Sequence, residues 1–585
     1  MEKAGSMELA CSHPSSEETK TDYNRPNGRK IVKFQIKTRV FLLIDLQDNQ
    51  KVVLLPLILN CGCLPIKAKG ILFKIFIAAV AQLAEHGLPK PRVAGSSPVC
   101  RSSNIARLTG SLYTLFYNLY MAAIIILCVF VGGLVFMASE CVNRMNKAAV
   151  AMFMGVVCWL VYIMYGTHFV VAEHPIDFLS YVSSAGVDAD TVKTFIAQNL
   201  FFKYVLTAAE VILFLLATMT IVEVLGNNGC FDFIGGWLRT RSPKRFMWTV
   251  AGITFLLSAN LDNVTTVCLM LGIMHTIIAD DRGRMVFGSV IVVSAAAGGA
   301  FTVIGDVTTL TLWTNGKVTP SAYTAMVALP CLAALATTLW LIMRSLPSRL
   351  SLMQTAMPYR GDDTVLSPLW RLVLLFVGIG GLWFIPTFHN LTGLPTFVGA
   401  LCVLSLLWIV NEICNRSLMH SDMMVRQRKP MALQYVNIQN MLLFMGLMLT
   451  FGVLKETGLP ARFFSRIAAD LDNVYLVGAV MGGLSAVFGN IPTLLGGVFF
   501  FNPEAGGAAQ ADVMVNYASG GVFWPLLSYS TALGSVVFSV STVAGMALMR
   551  MEGVKMGWYF RHISGKVLVG WCVGLVVMWI TTAFF

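Results

Sequence analysis

The sequence predicts an all-α polytopic membrane protein, and three observations predict it. Hydrophobic residues fill 56% of the 585 positions and charged residues only 12%, at a mean hydropathy of +0.71, far from the balance of soluble domains. Apolar runs of about 20 residues, the length that crosses a hydrocarbon core, recur from about residue 121 to residue 585. Two polar patches interrupt those runs, and they resemble each other: Ser258-Ala259-Asn260-Leu261-Asp262-Asn263-Val264-Thr265-Thr266 and Ser485-Ala486-Val487-Phe488-Gly489-Asn490-Ile491-Pro492-Thr493. A polar, helix-disrupting patch at membrane depth costs several kcal/mol unless it lines a cavity or is buried in protein. Two of them point to a site at the midplane.

The runs fall near 121–137, 148–165, 203–225, 247–275, 286–304, 321–343, 368–387, 394–412, 434–454, 474–488, 515–530, 532–550 and 567–585. Gly, Pro and polar clusters interrupt several, giving about 11–13 transmembrane or re-entrant helices. Loop charge orients them. The loop 239–245 carries Arg239, Arg241, Lys244 and Arg245 with no acid, which places it in the cytoplasm. Its counterpart 455–473 balances Lys455, Arg462 and Arg466 against Glu456, Asp470 and Asp472 and suits the opposite face. Residues 173–193 are acidic and read as external, whereas 416–430 are basic and read as cytoplasmic. The halves are therefore expected to be inverted-topology repeats, 121–343 and 367–585, joined by a cytoplasmic linker at 344–366 with broken helices at the midplane. Secondary transporters use this architecture.

The net charge of +12 is concentrated at the start: residues 1–107 hold 16 Lys+Arg and 8 Asp+Glu. A basic tail with a weak helix near 71–81 is the plain reading. A more specific one comes from Val80-Ala81-Gln82-Leu83-Ala84-Glu85-His86 and Gly95-Ser96-Ser97-Pro98. A transfer-RNA D-arm, GTGGCTCAGCTGGCAGAGCAC, encodes the first peptide, and a T-arm, GGTTCGAGTCCC, encodes the second. Residues 1–104, tRNA-gene-like at 80–103, are thus expected to be a mistranslated upstream segment, disordered or non-native, and to lie outside fold reasoning. Peptides from this segment in mass spectra of the native protein would overturn that expectation.

The thirteen cysteines show no repeated Cys-x-x-Cys pairing, and nine are scattered from Cys128 onward, as buried free thiols are. No cofactor, resident metal or nucleic-acid partner is implied, and no motif of a membrane-embedded enzyme stands out.

Chemistry centres on two acids. Asp262 lies in the first patch, and Asp306 ends the small-residue stretch Ala297-Gly298-Gly299-Ala300-Phe301-Thr302-Val303-Ile304-Gly305-Asp306, where glycines are expected to weaken helical continuity and let backbones approach. A hard cation such as Na⁺ or Li⁺ needs several oxygen ligands, and Asp262 with Asn263, and Asp306 with Thr308 and Thr309, supply them. Burial disfavours a bare carboxylate, so a proton and a cation compete for it, and that competition by itself couples their movements. Ser258 and Thr266 flank the first patch; Ser485, Asn490 and Pro492 stand in the second, and Ser541 is expected opposite Asp306. Glu210 and Glu223 precede the basic loop as weaker candidates. His168, His174 and His275 lie near helix ends, where a pH sensor can sit.

The ordered set Met219-Thr220-Ile221-Val222-Glu223, Ser258 to Thr266, Ala297 to Thr309 with Leu312-Trp313, and Ser485 to Thr493 resembles the NhaD-type sodium/proton antiporters of the ion transporter superfamily, over residues 121–585. The resemblance implies Na⁺(Li⁺)/H⁺ exchange across a bacterial inner membrane in the service of pH homeostasis, with Asp262, Asn263, Asp306, Thr308, Thr309, Ser485 and Asn490 on the family's ion-site positions. Membrane lipid and a second copy in a homodimer complete the expected partners. One departure stands out: the second motif usually reads Asp-Asn-Val-Pro, and here Gly489 replaces the acid. The alternative is a Na⁺-coupled dicarboxylate or other anion symporter, or an arsenite-type exporter, of the same superfamily. Such a site is neutral or basic and rich in Ser, Asn, Thr and helix N-termini, which the second motif allows and Asp262 with Asp306 oppose.

Overall fold

Residues 23–24, 30–36, 39–44, 121–140 and 145–584, apart from 183–188, 239, 241, 347–365, 416–430, 461–462, 464–472 and 502–514, are described by a computed structural model. In the first segment β1 (Tyr23–Asn24), β2 (Lys30–Ile36) and β3 (Arg39–Ile44) pair antiparallel in that order, with Val32 opposite Leu43. The tRNA-gene-like stretch lies outside the described residues, as do the linker at 347–365 and the basic loop at 416–430.

The rest is helical. α1 (Met121–Ala138), α2 (Lys147–Met164), α3 (Gly166–Glu173) and α4 (Asp190–Asn227) precede the first patch. Then come α5 (Pro243–Ser258), α6 (Asn263–Ile277), α7 (Asp281–Phe301) and α8 (Val307–Thr314). α9 (Pro320–Met343), α10 (Pro368–Thr392), α11 (Thr396–Asn415) and α12 (Met431–Glu456) lead to the second patch. It lies between α13 (Val474–Phe488) and α14 (Asn490–Phe500), followed by α15 (Phe523–Val536), α16 (Val543–Met551) and α17 (Met556–Ala583). Among the described residues nine helices are long and apolar enough to cross a membrane, while Asn263–Ile277, Val474–Phe488 and Asn490–Phe500 are shorter.

The contacts reveal what those shorter helices are. α5 and α7 run parallel: the rings of Phe246 and Phe287 meet near one end and those of Phe255 and Phe301 near the other. α6 runs back against α7, with Asn263 beside Gly299 and Leu271 beside Gly288. The apolar run at 247–275 is therefore a helical hairpin that turns at 259–262, where sequence alone suggested a single interrupted span. A second hairpin, α13–α14, repeats the arrangement. Gly478 and Gly482 meet Leu526 and Ser530 of α15 in parallel order, and Gly497 of α14 returns to Leu527.

The expected runs at 515–530 and 532–550 become one interrupted path, α15 then α16, broken at 537–542. α7 and α8 form another, broken at 302–306. α7 and α15 are antiparallel: the Tyr323 hydroxyl lies 2.7 Å from Ala300 O near the end of α7 and 2.8 Å from Ser528 Oγ early in α15, while Val292 and Ala296, earlier on α7, line one cavity with Ser535 and Val536, at the end of α15. The hairpins thus approach one another from opposite ends. A small apolar cluster of Val264, Cys268 and Ala547, separate from the main core, joins α6 to α16.

Candidate functional site

Glycine makes the docking of the first hairpin possible. A Cβ on Gly298 would lie 2.3 Å from Phe255 O, one on Gly299 2.0 Å from Asn263 Oδ1, and one on Gly305 2.6 Å from Ser258 O. The Gly298-Gly299 pair does not interrupt α7, which continues to Phe301; it is the bare surface on which the hairpin tip rests. Polar contacts fix the tip there. The Ser258 hydroxyl stands 2.5 Å from Asn263 Oδ1 and 2.8 Å from Ala295 O, and Thr302 Oγ1 donates to Ala259 O while accepting from Gly305 N at 3.1 Å.

Both acids stand at helix N-termini, where free N–H groups favour negative charge. Asp262 caps α6: its Oδ2 accepts from Val264 N at 3.1 Å and Thr265 N at 3.3 Å. Its other oxygen, Oδ1, is buried with no hydrogen-bond partner among the described residues. A buried carboxylate oxygen without a donor is costly, by about 1–3 kcal/mol or more for a charged group, unless a proton or cation meets it. Asp306 precedes α8. Its Oδ2 accepts from Thr308 Oγ1 at 2.5 Å and from Asn490 Nδ2 at 3.0 Å, so the tip of the second hairpin touches the break of the first interrupted helix. Thr309 Oγ1 accepts from Asp306 N at 3.2 Å and donates to Asp306 O at 2.9 Å, fixing the backbone rather than offering a ligand.

A cavity of about 30 Å³ lies between the tips and the breaks, lined by Asn263, Asp306, Asn440, Asn490, Ser535 and Thr542 among others. A water needs roughly 10–15 Å³ by this kind of measure, so the space suits one or two water-sized occupants. Asn263, Asp306 and Asn490 therefore meet at one cavity. Ser485 is elsewhere: its hydroxyl donates to Thr531 O at 2.7 Å, pinning the second hairpin to α15 as Ser258 pins the first to α7. Thr266 is fully buried, its hydroxyl unpartnered among the described residues. Pro492 occupies the first turn of α14, where a missing N–H costs nothing. Ser541 Oγ donates to Ser535 O, and the residue that caps α16, as Asp306 precedes α8, is its neighbour Thr542.

Glu210 and Glu223 are half-buried; neither lines the cavity. The side chain of His168 is outside the described set. His275 pairs with Glu552 at 3.2 Å, and Glu552 also meets Arg284 Nε at 3.0 Å.

Sequence reasoning missed Asn440, buried in α12 beside the cavity, its Oδ1 unpartnered among the described residues. The adjacent polar pair Gln439-Asn440 inside a 26-residue apolar helix was the available signal. It also missed Glu456, counted only as a loop charge. Glu456 is buried and bonded to Tyr204 and His174.

Comparison with known proteins fits this arrangement. The family model described as "Citrate transporter" matches residues 134–520. "Sodium/proton antiporter 1" of Arabidopsis thaliana is 31% identical over 63% of this chain and 61% of its own length, so the chain spans under two thirds of that relative. "Sodium/proton antiporter 2" of the same plant is 30% identical over 63% of this chain and 84% of its own length. "Na(+)/H(+) antiporter NhaD" of Vibrio parahaemolyticus is 25% identical over 64% and 89%. With two hairpin tips meeting at a buried acid, the chain belongs to the citrate transporter family, and its relatives there are named as sodium/proton antiporters.

Proposed function

We propose that the protein exchanges Na⁺ or Li⁺ for H⁺ by letting cation and proton compete for Asp262 and Asp306. The observation that carries this reading is the unpartnered Oδ1 of Asp262, next in the chain to Asn263, which lines the cavity together with Asp306. Carboxylate oxygens with the amide oxygens of Asn263 and Asn440 offer a hard cation the oxygen ligands it requires. Without the cation, a proton neutralises the same groups at membrane depth, where a bare charge is expensive. Exchange follows when the carrier changes sides only in a neutralised state, and no further catalytic group is needed. The antiparallel placement of the hairpins supports inverted repeats, with one tip approached from each side. Ser485, Thr308 and Thr309 serve in this reading by holding backbone and carboxylate in place.

The family description raises the anion alternative, a citrate- or dicarboxylate-type symporter or an arsenite-type exporter. Asp306 at the cavity, with Asp262 on the adjoining tip, disfavours an anion. A bacterial inner membrane is the proposed setting, with lipid against the exposed faces of α10 and α11, where Leu372, Phe376 and Ile413 are more than half exposed. A homodimer is proposed with it, and crosslinking in the membrane tests it.

Fluorescence dequenching in everted vesicles lacking other antiporters tests the function. NaCl and LiCl should collapse a preformed pH gradient, and D262N and D306N should not. Uptake of succinate or citrate without any cation response would overturn the reading.

A further inference from the structure

One cation of the protein itself is held at the second break. Lys147 opens α2, and its side chain is only 12% exposed. It donates to Val540 O at 2.9 Å and Ser541 O at 3.3 Å, carbonyls of the segment between α15 and α16. It also pairs with Glu140 Oε2 at 3.2 Å, and Arg550 holds the other oxygen of Glu140 at 3.4 Å. An ammonium has three donors, so two carbonyls and one carboxylate satisfy it as they would a bound metal ion.

Gly489 stands against the same carbonyl. Its φ is +99°, and a Cβ there would fall 2.6 Å from Ser541 O, the oxygen that Lys147 holds. Position 489 of the second tip therefore has no room for a side chain while this carbonyl stays in place. The motif position where glycine stands in place of the usual acid and the site that holds a fixed positive charge are two sides of one contact. In the first half the corresponding region is negative, with Asp306 facing the tip. A second cavity of about 50 Å³, lined by Glu140, Lys147, Gln439, Val543 and Arg550 among others, shares Val543 with the ion cavity. Gln439 of this second space adjoins Asn440 of the first.

We propose that Lys147 is a resident cation of the second half-site, a positioning residue that occupies the carbonyls of the α15–α16 break where a second transported ion would otherwise bind. Transport then runs through the first-half carboxylates alone, and the fixed charge limits how many cations are loaded. The proposal rests on the cation/proton reading above.

The test is K147M against K147R, in everted vesicles titrated with Na⁺. Two readings are taken: the apparent KM, and the Na⁺ gradient that just balances an imposed pH gradient. Removing the charge should lower the apparent KM about 5-fold or more, the lower end of ordinary coupling between sites, and shift the balancing gradient. K147R should stay closer to wild type in both. If K147M changes only the maximal rate, Lys147 is a structural cap and the proposal is wrong. Should K147M fail to fold, as judged by size-exclusion of a fluorescent fusion, E140Q serves instead: it leaves the Lys147 charge uncompensated and should raise the apparent KM, and an unchanged or lowered KM overturns the proposal. D262N and D306N run in parallel keep the two ideas apart, since a sodium response surviving in those variants sinks the cation reading regardless of Lys147.

Discussion

The two hairpin tips share a shape and differ in charge. Each is pinned by a serine to the helix that comes after it, Ser258 to Ala295 O and Ser485 to Thr531 O, and each meets an interrupted helix across the cavity. The first tip brings Asp262, and the break after it brings Asp306. The second brings Asn490 and the side-chain-free Gly489, beside a break capped by Thr542 and gripped by Lys147. In the proposed exchange, architecture of this kind fixes where an ion sits, while the substituents on it decide which half binds charge. The first half acts as the acid and the second as a neutral donor with a built-in cation.

The strongest way to break this comparison is to remove the acids. Asp262→Asn and Asp306→Asn should each abolish sodium-dependent dequenching, an effect beyond the ~10–100-fold typical of losing an outer partner. Gly489→Asp in the same vesicles should not restore transport to either variant, because the new side chain meets Ser541 O. Recovery of activity would show that the halves are chemically interchangeable.

Next in size is the surface beneath the first tip. Gly299→Ala puts a methyl into Asn263 Oδ1 and should cost about 1–3 kcal/mol of stability, the usual toll of overpacking, read as a lower melting temperature of the purified protein. The matching change at an open glycine, Gly272→Ala, where nothing lies within 4 Å, should leave it unmoved. Asn490→Ala then asks what the second tip gives the first: loss of its bond to Asp306 should weaken apparent sodium affinity about 10-fold with folding intact. An unchanged affinity would make the second hairpin a mere plug.

The smallest effect lies away from the cavity. His174, on the segment between α3 and α4, is held above its usual 6.5 chiefly by its hydrogen bond to Glu456, with burial opposing. Its contribution to stability should be complete below about pH 6.5 and fade as pH rises through the elevated folded value. The melting-temperature gap between wild type and His174→Asn should therefore narrow on going from acid to alkaline buffer. A gap that widened would contradict the assignment.

Membrane depth made the main acids legible: a carboxylate inside a long apolar run is too expensive to persist without a partner or a task, so Asp262, Asp306 and Asn490 could be picked from residue order alone. Direction was not legible. Apolar periodicity is the same for a helix that crosses and one that turns back, so 247–275 read as one interrupted span until the parallel pairing of α5 with α7 showed a hairpin. Asn440 escaped because an isolated amide in a helix carries no charge signal. Lys147 escaped because a lysine at a helix start is ordinarily a flank, and its role depends on carbonyls 393 positions away. Gly489 was read as an acid lost, whereas its positive φ and the crowded carbonyl show a position where no side chain fits.

The apolar cluster between α6 and α16 also equips the molecule with a native reporter. Cys268 is a free, buried thiol packed with Val264 and Ala547, one turn along the helix that Asp262 caps, whereas the free thiols of Cys128, Cys402 and Cys572 are exposed on other helices. Reaction at Cys268 requires that the contact with α16 part. The rate at which a small mercurial modifies it, with sodium present or withheld, therefore times the opening of the site without adding a label to the protein.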